Sequence, residues 1–219
     1  MDLLDFARGP ALQFAAGVFC FGVAWRLAVL IFTPQARDLT PARKGALPGP
    51  VAGAREVFRR MWPEMHPTGS NMFTTINGYV FHLGLAIIVF GFAPHIQVIK
   101  SFFGISWISL PPVFIHVAGG ITMASLLAAL VKRLTSPVLK LLSTADDYIT
   151  WAVTFAPLVT GYILVGRLIQ PYNTALALHI LSFAVLLIWF PFGKLMHAFI
   201  VFLSRARTGA HLNHRGAQL

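Results

Sequence analysis

Five long apolar stretches, separated by polar or basic connections, dominate the hydropathy pattern of the chain. A membrane-spanning helix needs roughly 20 mainly apolar residues, and each stretch meets that length. The pattern therefore predicts five transmembrane helices, at about residues 10–32, 73–94, 112–131, 148–168 and 174–203. We interpret residues 1–219 as a single integral-membrane domain of the all-α class, a five-transmembrane-helix bundle with one long loop at residues 33–72.

The composition excludes an ordinary soluble domain. The chain is 57% hydrophobic and only 11% charged, whereas soluble domains carry about 25% charged residues. Too few charges remain to cover a surface that faces water. The single cysteine, Cys20, excludes an internal disulfide and a CxxC-type metal or iron–sulfur site.

The basic residues are concentrated on one side of the predicted membrane. Most of the 17 lysines and arginines fall in the loop 33–72, between the third and fourth spans, or at the carboxy-terminal end. The positive-inside rule makes this side cytoplasmic, with the amino terminus outside and the carboxy terminus inside. The net charge of +10 then mainly reflects the basic residues that set the membrane orientation. We expect contact with membrane lipid and no nucleic-acid partner.

The long loop at residues 33–72 predicts a short amphipathic helix around residues 54–62, after a segment rich in Pro, Gly and Arg. A loop of this size suggests a docking surface for a soluble partner. A helix bound to lipid headgroups explains the pattern equally well. Near the fourth span, Asp146 and Asp147 are adjacent and diverge on a helix, so we interpret them as acids that favour a helix amino terminus.

Five of the eight histidines fall at membrane depth: His82, His95, His116, His179 and His197. Ionisable side chains inside a bilayer are costly and usually functional. Such a histidine can bond a backbone carbonyl, relay protons or bind a metal centre.

His179 and His197 carry the strongest spacing signal. They are 18 residues apart, five turns of a continuous helix, so both would project from one face and lie about 27 Å apart. One helix would then present a ligand near each membrane surface. This geometry suits two haems, each completed by an imidazole from another helix. Their propionates would need cations, for which Arg26, Lys194 and Arg167 are candidates.

Matching depths predict the partners. His82 pairs with His197 towards the cytoplasm, and His116 pairs with His179 towards the outside. His95 competes with His116, but it lies 13 residues beyond His82 and would be turned about 220° away on a straight helix. It also follows Pro94, where a helix ends or bends. We therefore rank His116 above His95.

The motifs together resemble the gamma (cytochrome b) subunit of respiratory nitrate reductase. The resemblance covers about residues 18–205 apart from the long first loop. It rests on Gly22-Val23-Ala24-Trp25-Arg26, Phe81-His82-Leu83-Gly84, Ala118-Gly119-Gly120, the stretch from Lys132-Arg133 to Ala145-Asp146, and the run from Leu178-His179 through Phe190-Pro191-Phe192 to Leu195-Met196-His197.

The resemblance implies five helices, two b-type haems, and electron transfer between membrane quinol and a cytoplasmic iron–sulfur subunit in a bacterial or archaeal cytoplasmic membrane. It implies that His82 and His197 bind the haem nearer the cytoplasm and that His179 binds the other. The family's fourth ligand falls on Phe92, which cannot bind iron. Either His116 or His95 replaces it, or the outer haem is absent.

Two further departures concern the partners. The family's lysine before the third helix, near its quinol site, is missing from residues 107–112, so that site is not carried over. The first loop is longer than the family's, which suggests a different iron–sulfur partner.

The resulting hypothesis is a dihaem b-type anchor subunit of a multisubunit oxidoreductase, with metal ligands His82, His197, His179 and His116. This subunit would exchange electrons with quinone and with an iron–sulfur protein. Without its partner subunits, the polypeptide would not catalyse a complete substrate turnover. The alternatives are a haem-free structural anchor or small transporter that uses intramembrane histidines, and a transmembrane ferric reductase without a partner.

Overall fold

The computed structural model describes residues 2–34, 38–61 and 72–217, which are largely helical and contain no strand. In chain order these residues form α1 (Leu3–Phe32), α2 (Gly49–Arg59), α3 (Met72–Gly91), α4 (Ala93–Phe103), α5 (Pro112–Thr135), α6 (Pro137–Leu142), α7 (Ala145–Val165), α8 (Tyr172–Trp189) and α9 (His197–Arg215). Five of them, α1, α3, α5, α7 and α8, are long and apolar enough to cross a membrane. The all-α class and the five candidate spans are thus confirmed. Within α1, a π-helical turn covers Ala7–Ala11.

The fifth predicted span differs from expectation, because its helix ends at Trp189 instead of continuing to residue 203. Pro191 lacks an amide hydrogen and its ring clashes with the preceding turn, so the helix stops there. Pro191 is fully buried, and its ring lies where a Cβ on Gly22 of α1 would be. A short 3-10 turn follows at Lys194–Met196, and α9 starts at His197. His179 and His197 therefore lie on different helices, and the argument from one continuous face does not apply.

The membrane helices pack in a row. α3 packs against α5, α5 against α7, α7 against α8, and α8 against α1. Along the described residues, the backbones of α3 and α4 come near those of α8 and α9 at isolated points at most. We call this boundary the histidine seam, because His82 and His95 on one side meet His197 and His179 on the other.

The α3–α5 contact shows why glycines occur near the proposed ligands. A Cβ on Gly84 would collide with the hydroxyl of Thr122, which is fully buried and donates a hydrogen bond to the Ala118 carbonyl at 2.6 Å. Nearer the basic end of these helices, the Asn77 amide donates to the Ser125 carbonyl at 3.1 Å. Gly84 thus permits close helix packing, the role small residues commonly have between membrane helices.

The described part of the long loop folds back onto the carboxy-terminal helix. α2 begins at Gly49, five residues before the predicted start, and packs against α9. A Cβ on Gly53 would lie 2.8 Å from the Ala206 carbonyl oxygen, so the two helices touch through small residues. The Arg43 amide donates to the His214 carbonyl at 3.0 Å and extends this contact. Residues 62–71, including the predicted end of this helix, lie outside the described residues.

Candidate functional site

The first histidine pair joins the middle of α3 to the start of α9. The ring centroids of His82 and His197 are 6.1 Å apart, with the ring planes at 90°. Nitrogen–metal bonds of imidazole are about 2.0–2.1 Å, so two imidazoles on opposite sides of one metal ion have centroids roughly 6 Å apart. The structure thus brings together the two residues that depth matching paired, at a spacing suited to a shared ion.

The second pair consists of His95 and His179. Their ring centroids are 6.2 Å apart and their planes are inclined by only 16°. His179 lies on α8, and its ring packs beside Gly161 of α7, where a Cβ would approach the ring to 3.0 Å. This spacing also suits two imidazoles that share one metal ion.

His95 reaches His179 because the helix is not straight. α3 ends at Gly91, Phe92 is extended, and Pro94 occupies the first turn of the new helix α4. Proline is well tolerated there, since its missing amide hydrogen would be unpaired anyway. The His95 Nδ1 donates to the Ile88 carbonyl at 3.0 Å, back across the break. The rotation expected for a straight helix therefore does not hold.

His116 stands apart from both pairs. Its ring centroid is 6.2 Å from that of Tyr162 on α7, and its Nδ1 donates to the Pro112 carbonyl at 2.7 Å. Of the two candidates for the partner of His179, the structure places His95 against it. Iron binding by either residue remains a prediction, but the geometry reverses our ranking.

In each paired histidine, a hydrogen bond engages Nδ1 and leaves Nε2 for another ligand. Three of these bonds run from the ring Nδ1 to a backbone carbonyl oxygen. His82 donates to Gly78 at 2.7 Å, His95 donates to Ile88 at 3.0 Å, and His197 donates to Lys194 at 2.8 Å. The fourth, His179, meets the Thr160 hydroxyl at 3.2 Å. Metal-binding histidines almost always donate their second ring nitrogen in this way, which fixes tautomer and orientation. His116 shares the feature, so it is the pairing that distinguishes the four.

A cluster that sequence reasoning did not identify supports His197. Asp147 was interpreted as a helix cap, and it does form a capping box with Thr144. Its carboxylate, 4% exposed, also accepts from Arg133 at 2.9 Å and from Lys194 at 2.5 Å. Lys194 provides the carbonyl that orients His197, so the buried carboxylate fixes the turn before this histidine. The cluster joins positions 133, 147 and 194, and no local motif in the sequence links them.

The donor set fits haem better than a bare metal ion. Across residues 2–34, 38–61 and 72–217, no group of three or more His, Cys, Asp or Glu side chains is arranged to hold an ion. A structural zinc site needs about four such ligands. Haem iron takes four nitrogens from the porphyrin, so that two imidazoles complete its coordination. Each of the two close histidine pairs supplies that number of imidazoles.

The fold and the site together describe a helical protein with five candidate membrane spans and two close pairs of histidines. The chain is similar to a protein from Nitratidesulfovibrio vulgaris strain Hildenborough, with 28% identity over 210 residues. The match covers 93% of this chain and 91% of that protein, whose name specifies no activity. No protein-family model matches the chain.

Proposed function

We propose that this chain is a dihaem b-type subunit that carries electrons between membrane quinone or quinol and an iron–sulfur partner protein. The observation that carries the proposal is the histidine seam. Two pairs of imidazoles, with ring centroids 6.1 Å and 6.2 Å apart, lie where the helices otherwise come near at isolated points at most. Bound between the rings of each pair, haem supplies one-electron redox chemistry.

The paired histidines would hold the two haems at two depths. His82 is nine residues from Gly91, the end of α3, and His179 is ten residues from Trp189, the end of α8. A helix rises 1.5 Å per residue, so nine or ten residues correspond to roughly 14 Å or more. The His82–His197 pair and the His95–His179 pair are therefore separated by at least this distance along the helices. This distance is about half of the hydrocarbon thickness of roughly 30 Å. Two such sites support an electron path across the lipid.

Hydrogen bonds from the histidines to neighbouring residues orient these ligands. Carbonyls of Gly78, Ile88 and Lys194 hold three of the rings. At the fourth, the Thr160 hydroxyl meets both His179 Nδ1 and the Ser182 hydroxyl, the latter at 2.9 Å. Rings fixed in this way would keep the tautomer and the orientation that binding of a haem iron requires.

The basic end of the bundle would face the cytoplasm, as the positive-inside rule indicates. There the α2–α9 pair carries arginines and is continuous with Arg43 and the carboxy-terminal turn. We propose this end as the surface for the iron–sulfur partner. The chain would serve as an electron-transfer subunit of a larger oxidoreductase in a bacterial or archaeal cytoplasmic membrane.

The test uses alanine variants of each histidine in isolated membranes, with reduced-minus-oxidised difference spectra and electron paramagnetic resonance. We expect His82→Ala and His197→Ala to remove one haem signal. His95→Ala and His179→Ala should remove the other, and the control His116→Ala should keep both. Loss of the same signal from His116→Ala and His179→Ala would refute the outer pairing. A wild-type chain without haem absorbance would instead support the haem-free anchor or transporter.

A further inference from the structure

A polar pocket of about 310 Å³ opens beside His82, on the side towards the basic end. It is lined by Thr74, Thr75, Gly78, Tyr79, His82 and Arg205. One wall is the first half of α3 and the other is the Arg205 side chain of α9. The pocket thus lies at the end of the histidine seam where the His82–His197 pair is closest to the membrane surface.

The charge of this pocket is positive. No acidic residue lines it, and among the described residues no carboxylate forms an ion pair with Arg205. A second cation lies at its edge, because Lys132 of α5 donates from Nζ to the Thr74 hydroxyl oxygen at 2.8 Å. Since that oxygen accepts from Lys132, the proton of Thr74 stays available for another acceptor. The pocket therefore presents two cations and hydroxyl donors to an anion.

The spacing along the two helices aligns the pocket with the histidine pair. Thr74 lies eight residues before His82 on α3, and Arg205 lies eight residues after His197 on α9. Eight residues rise about 12 Å along each helix, and both residues line the same pocket as His82. A carboxylate attached to the edge of a planar molecule that binds between the His82 and His197 rings would therefore contact both walls of the pocket.

We infer that this pocket binds the propionate carboxylates of the haem held by His82 and His197, with Arg205 as the main counter-ion. The inference rests on the proposed function, since it requires that haem. It assigns this role to Arg205 in place of Lys194, whose ammonium is engaged by Asp147. A cation beside the propionates favours the reduced haem, because reduction adds negative charge to the site.

The experiment compares Arg205→Gln with a matched control, Arg207→Gln. Arg207 is two residues further along α9 and donates to the Leu30 carbonyl of α1 at 2.9 Å, away from the pocket. Redox titration of the purified protein follows the haem signal that is absent from His82→Ala. We expect Arg205→Gln to lower the equilibrium constant for its reduction about tenfold, or about 59 mV for one electron. Arg207→Gln should produce less than a third of that shift, and Arg205→Lys should stay near the wild type.

A second arm separates propionates from other anions, such as lipid headgroup phosphates. The haem-depleted protein is reconstituted with haem or with haem dimethyl ester, whose carboxylates are blocked. With the ester, we expect the difference in haem midpoint potential between wild type and Arg205→Gln to fall to less than a third of the difference measured with haem. A difference that persists with the ester, or equal shifts in Arg205→Gln and Arg207→Gln, overturns the inference. A wild type that binds no haem would instead remove the proposed function.

Discussion

Replacing Asp147 by asparagine tests how the fold holds the His82–His197 pair. Asp147 is the buried centre of a cluster that ties the end of α5, the start of α7 and the turn before α9. The substitution keeps the size of the side chain and an oxygen for the cap, and it removes the charge. Arg133 and Lys194 then lose their shared carboxylate.

The expected loss of stability follows from the two charged hydrogen bonds. Such bonds contribute about 1.5–3 kcal/mol each when shielded from water. The side chains of Arg133 and Lys194 are 33% and 55% exposed, so solvent screening reduces each contribution to about 1 kcal/mol. We expect Asp147→Asn to lower the free energy of unfolding by about 2 kcal/mol. We also expect it to change the haem signal of the His82–His197 pair, because Lys194 orients His197.

The assay is reversible unfolding in mixed detergent micelles, together with electron paramagnetic resonance of the oxidised protein. Asp146→Asn is the matched control, since it removes the same charge one residue away and Asp146 forms no ion pair among the described residues. It should leave stability and spectrum near the wild type. Equal losses in the two variants, or an Asp147→Asn protein with both properties intact, would refute the reasoning.

Two further predictions concern the α2–α9 contact. Gly53→Leu should separate the two helices and raise the rate of proteolysis in the loop before α2, because a Cβ on Gly53 would lie 2.8 Å from the Ala206 carbonyl oxygen; an unchanged digestion rate would count against this packing. The ion pairs that Glu56 makes with its arginines, Arg59 foremost, hold the pKa of its carboxyl at about 2, below the usual 4.5. The stability advantage of the wild type over Glu56→Gln should therefore be complete above pH 4.5 and decline as the pH falls towards 2, as measured by thermal unfolding in detergent; an advantage independent of pH would contradict it.

The membrane helices were predictable because their signal is local. Apolar length alone located all five, with boundaries within about four residues except at two places: the first helix begins at Leu3, seven residues before the predicted start, and the fifth ends at Trp189. Pro191 carried a signal for that end, but the expectation of one continuous face for His179 and His197 outweighed it. Proline within an apolar run should have ended the helix at Trp189.

The geometry of the site depended on contacts between distant segments. His82 and His197 were paired by depth, and the structure brings them together although α8 ends at Trp189, before His197, and not at the predicted residue 203. His95 could not be placed, because its direction depends on the break at Phe92. Asp147 resembles an ordinary cap in sequence, since its cationic partners come from two other segments.

The most direct test of the account is the haem content of the purified full-length chain, measured as pyridine haemochrome per polypeptide. Two b-type haems per chain is the predicted result, one for each close pair of imidazoles. A homogeneous, folded chain purified from a haem-sufficient host without any haem would contradict the central claim, and a single haem would contradict the assignment of the second pair.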